Sequence, residues 1–567
     1  MKVLILSSAF SGLTQRVQRE LLLLGHQIHM HIDLDEDQLR RDLNEFQPAL
    51  VICPFLTQRI PEDVWQKWTC LVVHPGIEGD RGPSSLDWAI KESSEYWGVT
   101  LLEAHAEMDA GNIWGTRRFP LRAASKLSNY KREVSTAAVE LIKKALLDLN
   151  NPYFSSRPLD YTNPRVQGIL RPLMKQPERC IDWQRDKAAD IVKKLHTADT
   201  SPGVLDSING VDIHLFGPVL EPNLRGNPGE IIAEYNEGIC RATVDGAVWI
   251  RQMKCKTSAS LPPIKLPAWQ IAKTLLNDKQ MQKVQRLEQC DVMEEIWTEQ
   301  RGEATYIYFN FYNGAFSTQQ CYALAQCVRD VKQSNTKFIV FMGGEDFWSN
   351  GIHLNCIEAA SNPAEESWQN INAIDDVVSE IINTPNQITI AALRNNSGAG
   401  GSIMALACDE VIVRDGTVHN PHYEGMGLYG SEYWTYLLPK RVGKQKALEL
   451  AKACEPMLAE EAIALGFADI AFTEDWDGFH KALYTHVYKL CEHMNKEAFL
   501  AAKNAQRAAD EAAKPLAKYR EEELAKMHAI FFNDDSVYHT ARYEFVNKIK
   551  KPKQTAAPEK QKAAAVS

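Results

Sequence analysis

Strand-sized apolar runs alternate with helical patterns in two separate parts of this 567-residue chain, and a segment dense in turn signals lies between them. Alternating strands and helices predict a mostly parallel sheet with helices packed on its faces. The turn-dense segment, with short strands bounded by Gly, Pro and Asn, is typical of a small barrel. We therefore expect an α/β protein with domains at residues 1–155, 160–265 and 280–548, and a disordered tail over 549–567.

The first α/β part opens with a strand at Val3–Ser7 and a helix at Thr14–Leu24 that Gly25 terminates. The next strands are predicted at Gln27–Ile32, Ala49–Cys53 and Leu71–Val73. In a doubly wound sheet of this kind, ligands bind beyond the carboxyl ends of the strands. The second part repeats the rhythm, with strands predicted at Tyr306–Phe311, Lys337–Met342, Gln387–Leu393 and Glu410–Val413.

Charge and composition narrow the range of partners. The formal net charge is -10, which argues against nucleic acid or an anionic membrane as the main partner. No apolar run approaches the roughly 18 residues of a membrane span, and Met1–Leu6 is read as a first strand rather than as a secretory signal. The 12 cysteines include no Cys-x-x-Cys pair. We therefore expect reduced thiols, a cytoplasmic protein, small-molecule substrates and no metal site.

The most informative stretch of the front part is a Gly-rich loop that directly follows a strand. It begins with His74, includes Gly76 and the sequence Arg81-Gly82-Pro83, and leads into a helix. A His at the end of a strand, followed by a Gly-rich loop, faces the usual ligand crevice of such a sheet. Further along the chain lies a turn that contains Asp109.

The order of these motifs, with Gly98-Val99-Thr100 between them, resembles the 10-formyltetrahydrofolate-dependent formyltransferase and hydrolase family over about residues 1–260. The resemblance implies 10-formyltetrahydrofolate as the formyl donor, with His74 and Asp109 as catalytic residues. In formyl transfer an imidazole can stabilise the tetrahedral oxyanion, and a carboxyl group can shuttle a proton to the leaving folate nitrogen. It also implies that the loop residues Gly76, Arg81, Gly82 and Pro83 bind the folate. The family's transferases usually carry Asn two residues before the His, where this chain has Val72. That departure favours water or an unusual acceptor over a standard amine.

The back part contains two Gly-rich turns, each shortly after a predicted strand. The first carries Gly351 and Ile352, and the second carries Gly400 and Gly401. A Gly-rich turn that enters a helix presents free backbone N–H groups, and two such turns can converge on one thioester oxygen.

These turns, together with Gly443–Leu450 and Ala459–Gly466, resemble the crotonase (enoyl-CoA hydratase/isomerase) superfamily over about residues 280–545. The resemblance implies a coenzyme A thioester as ligand. It also implies that the backbone amides of Ile352 and Gly400 form the oxyanion hole, with Gly351 and Gly401 next to the ligand.

The back part departs from the superfamily's hydratases at both of their catalytic glutamates. Ile403 stands at the first position, and Pro421 is not followed directly by Glu at the second. Hydration needs two carboxylates around one water, so ordinary hydratase activity is not expected. Tyr423, Glu424 and Glu432 lie where the superfamily varies its acid or base, and these three are the candidates for it.

A formyltransferase-like half joined to a crotonase-like half resembles a family of nickel–iron hydrogenase maturation proteins. The resemblance implies that the formyl group passes from 10-formyltetrahydrofolate to coenzyme A and that formyl-CoA is then decarbonylated. The carbon monoxide would serve the hydrogenase iron, with other maturation proteins as partners. A thiol acceptor is consistent with Val72, because a deprotonated thiol is a good nucleophile.

Two alternatives remain open at this point. The first is a formyltransferase or hydrolase that acts on another acceptor, such as a sugar amine, with an accessory acyl-CoA domain. The second is a non-catalytic maturation scaffold, which the loss of both hydratase glutamates favours and the retention of His74 and Asp109 opposes.

Overall fold

The computed structural model describes residues 1–256 and 262–549. The tail expected over 549–567 lies, apart from Ile549, outside the described residues. Within the described ranges, no helix is both long and apolar enough to cross a membrane.

The front domain is a six-stranded sheet in the order β2-β1-β3-β4-β5-β6, with helices on both faces. Its strands are β1 (Lys2–Ser7), β2 (Gln27–Ile32), β3 (Leu50–Cys53), β4 (Cys70–His74), β5 (Tyr96–Glu103) and β6 (Ile113–Pro120). Its helices are α1 (Gly12–Leu23), α2 (Glu36–Phe46), α3 (Glu62–Trp65), α4 (Ser85–Lys91), α5 (Lys126–Asn129) and α6 (Ser135–Leu149). The first four strands in space are parallel and the last two are antiparallel, so the expected doubly wound α/β fold is present.

Alternating side chains along β1 explain why both faces of the front sheet are covered. Val3 and Ile5 join the apolar cluster under α1 and α6, whereas Leu4 and Leu6 join the cluster under α2 and α3. A strand that is apolar on both sides has to be buried on both sides, as in parallel sheets generally. At the carboxyl end of β4, this arrangement leaves His74 beside Thr100 of β5.

The middle domain has a seven-stranded sheet and four helices. Its strands are β7 (Val204–Ile208), β8 (Val211–Glu221), β9 (Ile231–Tyr235), β10 (Gly238–Ala242), β11 (Ala247–Cys255), β12 (Lys265–Pro267) and β13 (Gln285–Arg286). Its helices are α7 (Gln176–Arg179), α8 (Ala188–His196), α9 (Ala268–Leu275) and α10 (Asp278–Met281).

The middle sheet differs from the barrel that the turn signals suggested. The strand path β13-β9-β10-β11-β8-β7, with β12 beside β11, is open, and within the described residues its two end strands do not pair. Helices α8 and α9 instead cover the inner face through Ile191, Leu195 and Ile271. The sheet also continues beyond the boundary expected at residue 265, because β12 pairs with β11 and β13 pairs with β9.

The back domain has a six-stranded sheet in the order β14-β15-β16-β17-β19-β22 and a small sheet in the order β18-β20-β21. The strands are β14 (Ile296–Arg301), β15 (Ala304–Phe309), β16 (Phe338–Gly343), β17 (Ile388–Leu393), β18 (Ser397–Gly398), β19 (Glu410–Arg414), β20 (Val418–Asn420), β21 (Met457–Leu458) and β22 (Ile470–Phe472). The helices are α11 (Thr318–Lys332), α12 (Leu354–Ala359), α13 (Pro363–Ile382), α14 (Gly400–Ala405), α15 (Trp434–Val442), α16 (Lys444–Ala453), α17 (Ala459–Ala464), α18 (Trp476–His493), α19 (Lys496–Ala513), α20 (Leu516–Phe531) and α21 (Val537–Asn547).

The front and back domains contact each other directly through charged side chains. Arg16 of α1 donates two hydrogen bonds to the carboxylate of Glu474, at 2.8 and 2.9 Å. Lys131 donates from Nζ to the backbone oxygen of Asp346 at 2.6 Å. Asp346 lies in the loop that leads into the first Gly-rich turn of the back domain, so the front domain contacts the segment that carries part of the back site.

Candidate active sites

The front site consists of His74, Asp80 and Asp109. His74 ends β4, and its imidazole is buried between the two carboxylates. Its Nε2 lies 2.9 Å from Oδ2 of Asp80, and its Nδ1 lies 3.5 Å from Oδ2 of Asp109. Burial by itself would lower the pKa of His74, but attraction to Asp109 and the hydrogen bond with Asp80 outweigh burial and raise it. The site therefore favours a charged imidazolium.

Two glycines make room for Asp80, which the sequence analysis missed. A Cβ on Gly76 would overlap both the imidazole of His74 and the carboxylate of Asp80, and a Cβ on Gly168 would overlap the backbone of Asp80. The signal that could have identified Asp80 was an acid inside a Gly-rich loop, six residues after the His.

The predicted residues Arg81, Gly82 and Asp109 tie the loop to the facing turn. The N–H of Gly82 donates to Oδ2 of Asp109 at 2.9 Å. The guanidinium of Arg81 donates to the backbone oxygen of Met108 and to Glu107, each at 2.9 Å. These contacts fix Asp109, whose own backbone is left-handed with φ 54°, next to the imidazole.

Two other positions that the sequence analysis singled out take no polar part in the front site. Pro83 is exposed on the loop. Val72 packs against the apolar cluster under α2 and α3. The polar side chains that contact the imidazole of His74 are instead those of Asp80 and Asp109.

The back site is centred on the two Gly-rich turns, and the structure brings them together. A Cβ on Gly351 would lie 3.5 Å from the backbone nitrogen of Gly400, which begins α14. A Cβ on Gly401 would overlap Ser349 of the facing turn, so this glycine permits the close approach. Within the described chain, neither the N–H of Ile352 nor that of Gly400 donates to a backbone acceptor. Both amides are thus free to bind a carbonyl oxygen.

Glu432 lies directly against the second turn. A Cβ on Gly400 would overlap Oε1 of Glu432, so the carboxylate touches the backbone of the residue that supplies one of the free amides. The hydroxyl of Tyr423 donates to the other carboxylate oxygen at 2.8 Å. Glu432 is 1% exposed, and burial, with repulsion from Asp375 adding to it, raises its pKa to about 8.

Glu424 and Ile403 lie apart from this cluster. Glu424 is exposed at the start of a short 3-10 helix, so the structure does not bring its carboxyl group to Gly400 as it does for Glu432. Ile403 is buried in the apolar core of the back domain. Of the three predicted acid or base candidates, the geometry brings together Tyr423 and Glu432.

A second buried carboxylate, Asp375 of α13, was also missed. Its Oδ1 accepts from the N–H of Glu432 and its Oδ2 accepts from the hydroxyl of Ser431, each at 2.7 Å. The helical pattern contained a signal, since Asp375 lies one residue after Ile374 within a buried apolar stripe. A charged residue on the core face of an amphipathic helix calls for a functional or structural partner.

Comparison with known proteins agrees with this two-part organisation. Residues 24–146 match the family model described as formyl transferase, and residues 173–263 match the formyl transferase C-terminal domain. Residues 307–555 match enoyl-CoA hydratase/isomerase. The chain thus joins formyltransferase-type domains to a crotonase-type domain.

Relatives that span the whole chain make the assignment more specific. The hydrogenase maturation factor HoxX of Bradyrhizobium diazoefficiens is 41% identical over 97% of this chain and 95% of its own length. A crystal structure of HypX from Aquifex aeolicus, in complex with tetrahydrofolic acid, is 39% identical with a TM-score of 0.91 and covers 97% of both chains. The chain belongs to this HoxX/HypX family of hydrogenase maturation factors.

Proposed function

We propose that this protein makes carbon monoxide in two steps for nickel–iron hydrogenase assembly. In the first step, the formyl group of 10-formyltetrahydrofolate passes to the thiol of coenzyme A at the front site. In the second step, formyl-CoA loses carbon monoxide at the back site and coenzyme A is regenerated. Support for folate comes from the formyltransferase match and from the tetrahydrofolic acid bound to the Aquifex aeolicus relative.

In the first step, the thiolate of coenzyme A attacks the formyl carbon and the bond to the folate nitrogen breaks. A tetrahedral oxyanion forms in between, and the charged imidazole of His74 can stabilise it. The proton that the thiol releases passes through Asp109 to the folate nitrogen, which leaves protonated. Rearrangement of His74 has to accompany substrate binding, because both of its ring nitrogens face carboxylates here.

In the second step, the carboxylate of Glu432 takes the proton from the formyl carbon. In the same step the carbon–sulfur bond breaks, its electron pair leaves with sulfur, and the carbon and oxygen depart as carbon monoxide. The amides of Ile352 and Gly400 would hold and polarise the formyl oxygen meanwhile. Glu432 finally returns its proton to the thiolate, so no water is consumed. A reaction without added water is consistent with Ile403 at the position of a hydratase glutamate.

The observation that carries this proposal is the position and the proton affinity of Glu432. Its carboxylate touches Gly400, beside a free amide, and its pKa is raised to about 8. A thiol such as that of cysteine has a pKa of about 8.5. A base with a similar pKa can return the proton to sulfur without a strongly uphill step, and it can accept the proton from carbon because that proton leaves as the carbon–sulfur bond breaks.

Contacts between the domains support a shared carrier. Lys131 of the front domain reaches the Asp346–Phe347 loop of the back domain, and its Nζ lies 2.9 Å from the centre of the Phe347 ring. Tyr312 of the back domain donates to Asp199 of the middle domain at 2.8 Å. We propose that the pantetheine arm of coenzyme A carries the formyl group across this junction.

The test is carbon monoxide release, measured by haem absorbance, from purified protein given 10-formyltetrahydrofolate with and without coenzyme A. We expect release that depends on coenzyme A in catalytic amounts and that is lost in His74→Ala and in Glu432→Gln. Formate without carbon monoxide would instead identify a hydrolase. The absence of any folate turnover would favour the scaffold alternative.

A further inference from the structure

We infer that Asp375 is a positioning residue for the decarbonylation. It holds the Ser431–Glu432 turn so that the carboxylate of Glu432 faces Gly400. This inference rests on the proposed role of Glu432. The hydrogen bonds of Asp375, which belongs to α13, go to this turn, so it acts through Ser431 and Glu432.

The first support is the way in which both oxygens of Asp375 are used. Oδ1 accepts from the backbone N–H of Glu432, and Oδ2 accepts from the hydroxyl of Ser431, both at 2.7 Å. Asp375 is fully buried. Hydrogen bonds to a buried carboxylate are short and strong, and a partner left without its acceptor would be costly to bury. The two contacts therefore fix both residues of the turn to α13.

The second support is the backbone of the turn itself. Glu432 and the following Tyr433 both have left-handed backbones, with φ 60° and 58°. Two successive non-glycine residues in this region are unfavourable and persist only where surrounding contacts impose them. The N–H of Glu432 points to Asp375 in this conformation, so the carboxylate of Asp375 stabilises the strained form. That form directs the Glu432 side chain to Gly400.

Several charged or titratable groups surround Glu432. Tyr423 donates to it, and Asp375, Glu523 and the thiol of Cys321 interact with it electrostatically. Arg520 lies 3.8 Å from Asp375 and pairs with the neighbouring Asp376 at 2.7 Å. Asp375 is the carboxylate that both bonds to the turn and adds to the proton affinity of Glu432.

The experiment supplies formyl-CoA directly, so that the front site is bypassed, and follows carbon monoxide release from neutral to alkaline pH. Asp375→Ala is expected to lower the plateau rate about tenfold or more, with little change in KM, because a misplaced base loses rate and not substrate binding. Asp375→Asn is expected to keep most of the plateau, since its amide oxygen still accepts from Glu432. Its midpoint should move to lower pH, because a negative charge beside Glu432 is gone.

Asp376→Asn is the matched control, because it removes a negative charge from the next residue of the same helix, and that residue pairs with the same arginine, Arg520. It should keep the plateau and the midpoint.

The inference is overturned if Asp375→Ala has the plateau of Asp376→Asn, or if the midpoint of Asp375→Asn does not move. If Asp375→Ala fails to fold, the Asp375→Asn midpoint decides. If Glu432→Gln releases carbon monoxide normally, the proposed function itself fails. If only the Asp375 variants behave like the control, the inference alone fails.

Discussion

The front site surrounds a cation with carboxylates, whereas the back site packs carboxylates beside one another. In the front site, Asp80 and Asp109 raise the pKa of His74 against the effect of burial. In the back site, burial raises the pKa of Glu432 to about 8, and Asp375 adds to it by repulsion. Each site thus raises the pKa of one buried group. The front site does so for His74 by electrostatic attraction, and the back site does so for Glu432 mainly by desolvation.

This difference affects what each site requires from the fold. An ion triad stabilises its own charged state once the loop brings the three groups together. Like-charged groups have to be held in place by the surrounding structure, since their mutual repulsion and desolvation oppose the ionised forms. In the back site, the left-handed turn at Glu432 and Tyr433 holds the carboxylate of Glu432 against Gly400, where a Cβ would overlap it.

The largest effect is expected at the back site. Glu432→Gln should reduce carbon monoxide release from supplied formyl-CoA about 10³-fold, because the proposed base is lost. Glu424→Gln is the control, since Glu424 is exposed nearby. Equal losses in the two variants, measured by haem absorbance, would contradict the assignment of the base to Glu432.

A somewhat smaller effect is expected at the front site. His74→Ala should slow folate-dependent formyl-CoA formation about 10²–10³-fold, as for the loss of an oxyanion-stabilising group. The same variant should decarbonylate supplied formyl-CoA at the normal rate, which would separate the two sites. The exposed His105 offers a control through His105→Ala. A decarbonylation defect in His74→Ala would show instead that the sites are not independent.

A steric change should sharpen the account of the back site. Gly400→Ala places a methyl group where the Glu432 carboxylate lies, so it should displace that carboxylate and lower decarbonylation about 10–100-fold. Gly425→Ala is the matched control, because a Cβ there meets nothing within 4 Å. Normal activity in Gly400→Ala would mean that contact between Glu432 and Gly400 is not required.

The smallest expected effect concerns stability at the front site. Since the pKa of His74 is raised on folding, its contribution to stability is present below the unfolded pKa and is lost as pH rises through the folded pKa. Asp80→Asn should therefore lower the thermal midpoint at acidic pH, by about 2–4 °C, and differ less from the wild type as pH rises. A deficit that grows with pH would contradict a charged His74.

Sequence patterns predicted the α/β architecture and the parallel strands β1–β4, β15–β17 and β19, because buried parallel strands are continuous apolar runs. The resemblance to the two enzyme families pointed to His74, Asp109 and the paired glycine turns, since the motifs that carry it are contiguous in the sequence. Asp80 and Asp375 were missed because their partners are set by tertiary contacts, six residues away in a loop and 57 residues away on another element. The open middle sheet was missed because turn signals mark the ends of strands and do not tell whether the edge strands pair.

The most direct test of the coupled mechanism is the intermediate itself. Glu432→Gln protein would be given 10-formyltetrahydrofolate and coenzyme A, and the products would be followed by mass spectrometry. We predict that formyl-CoA accumulates without carbon monoxide, because the front site remains active while the base of the back site is absent. Formate with no formyl-CoA, or carbon monoxide released as fast as by the wild type, would contradict the account.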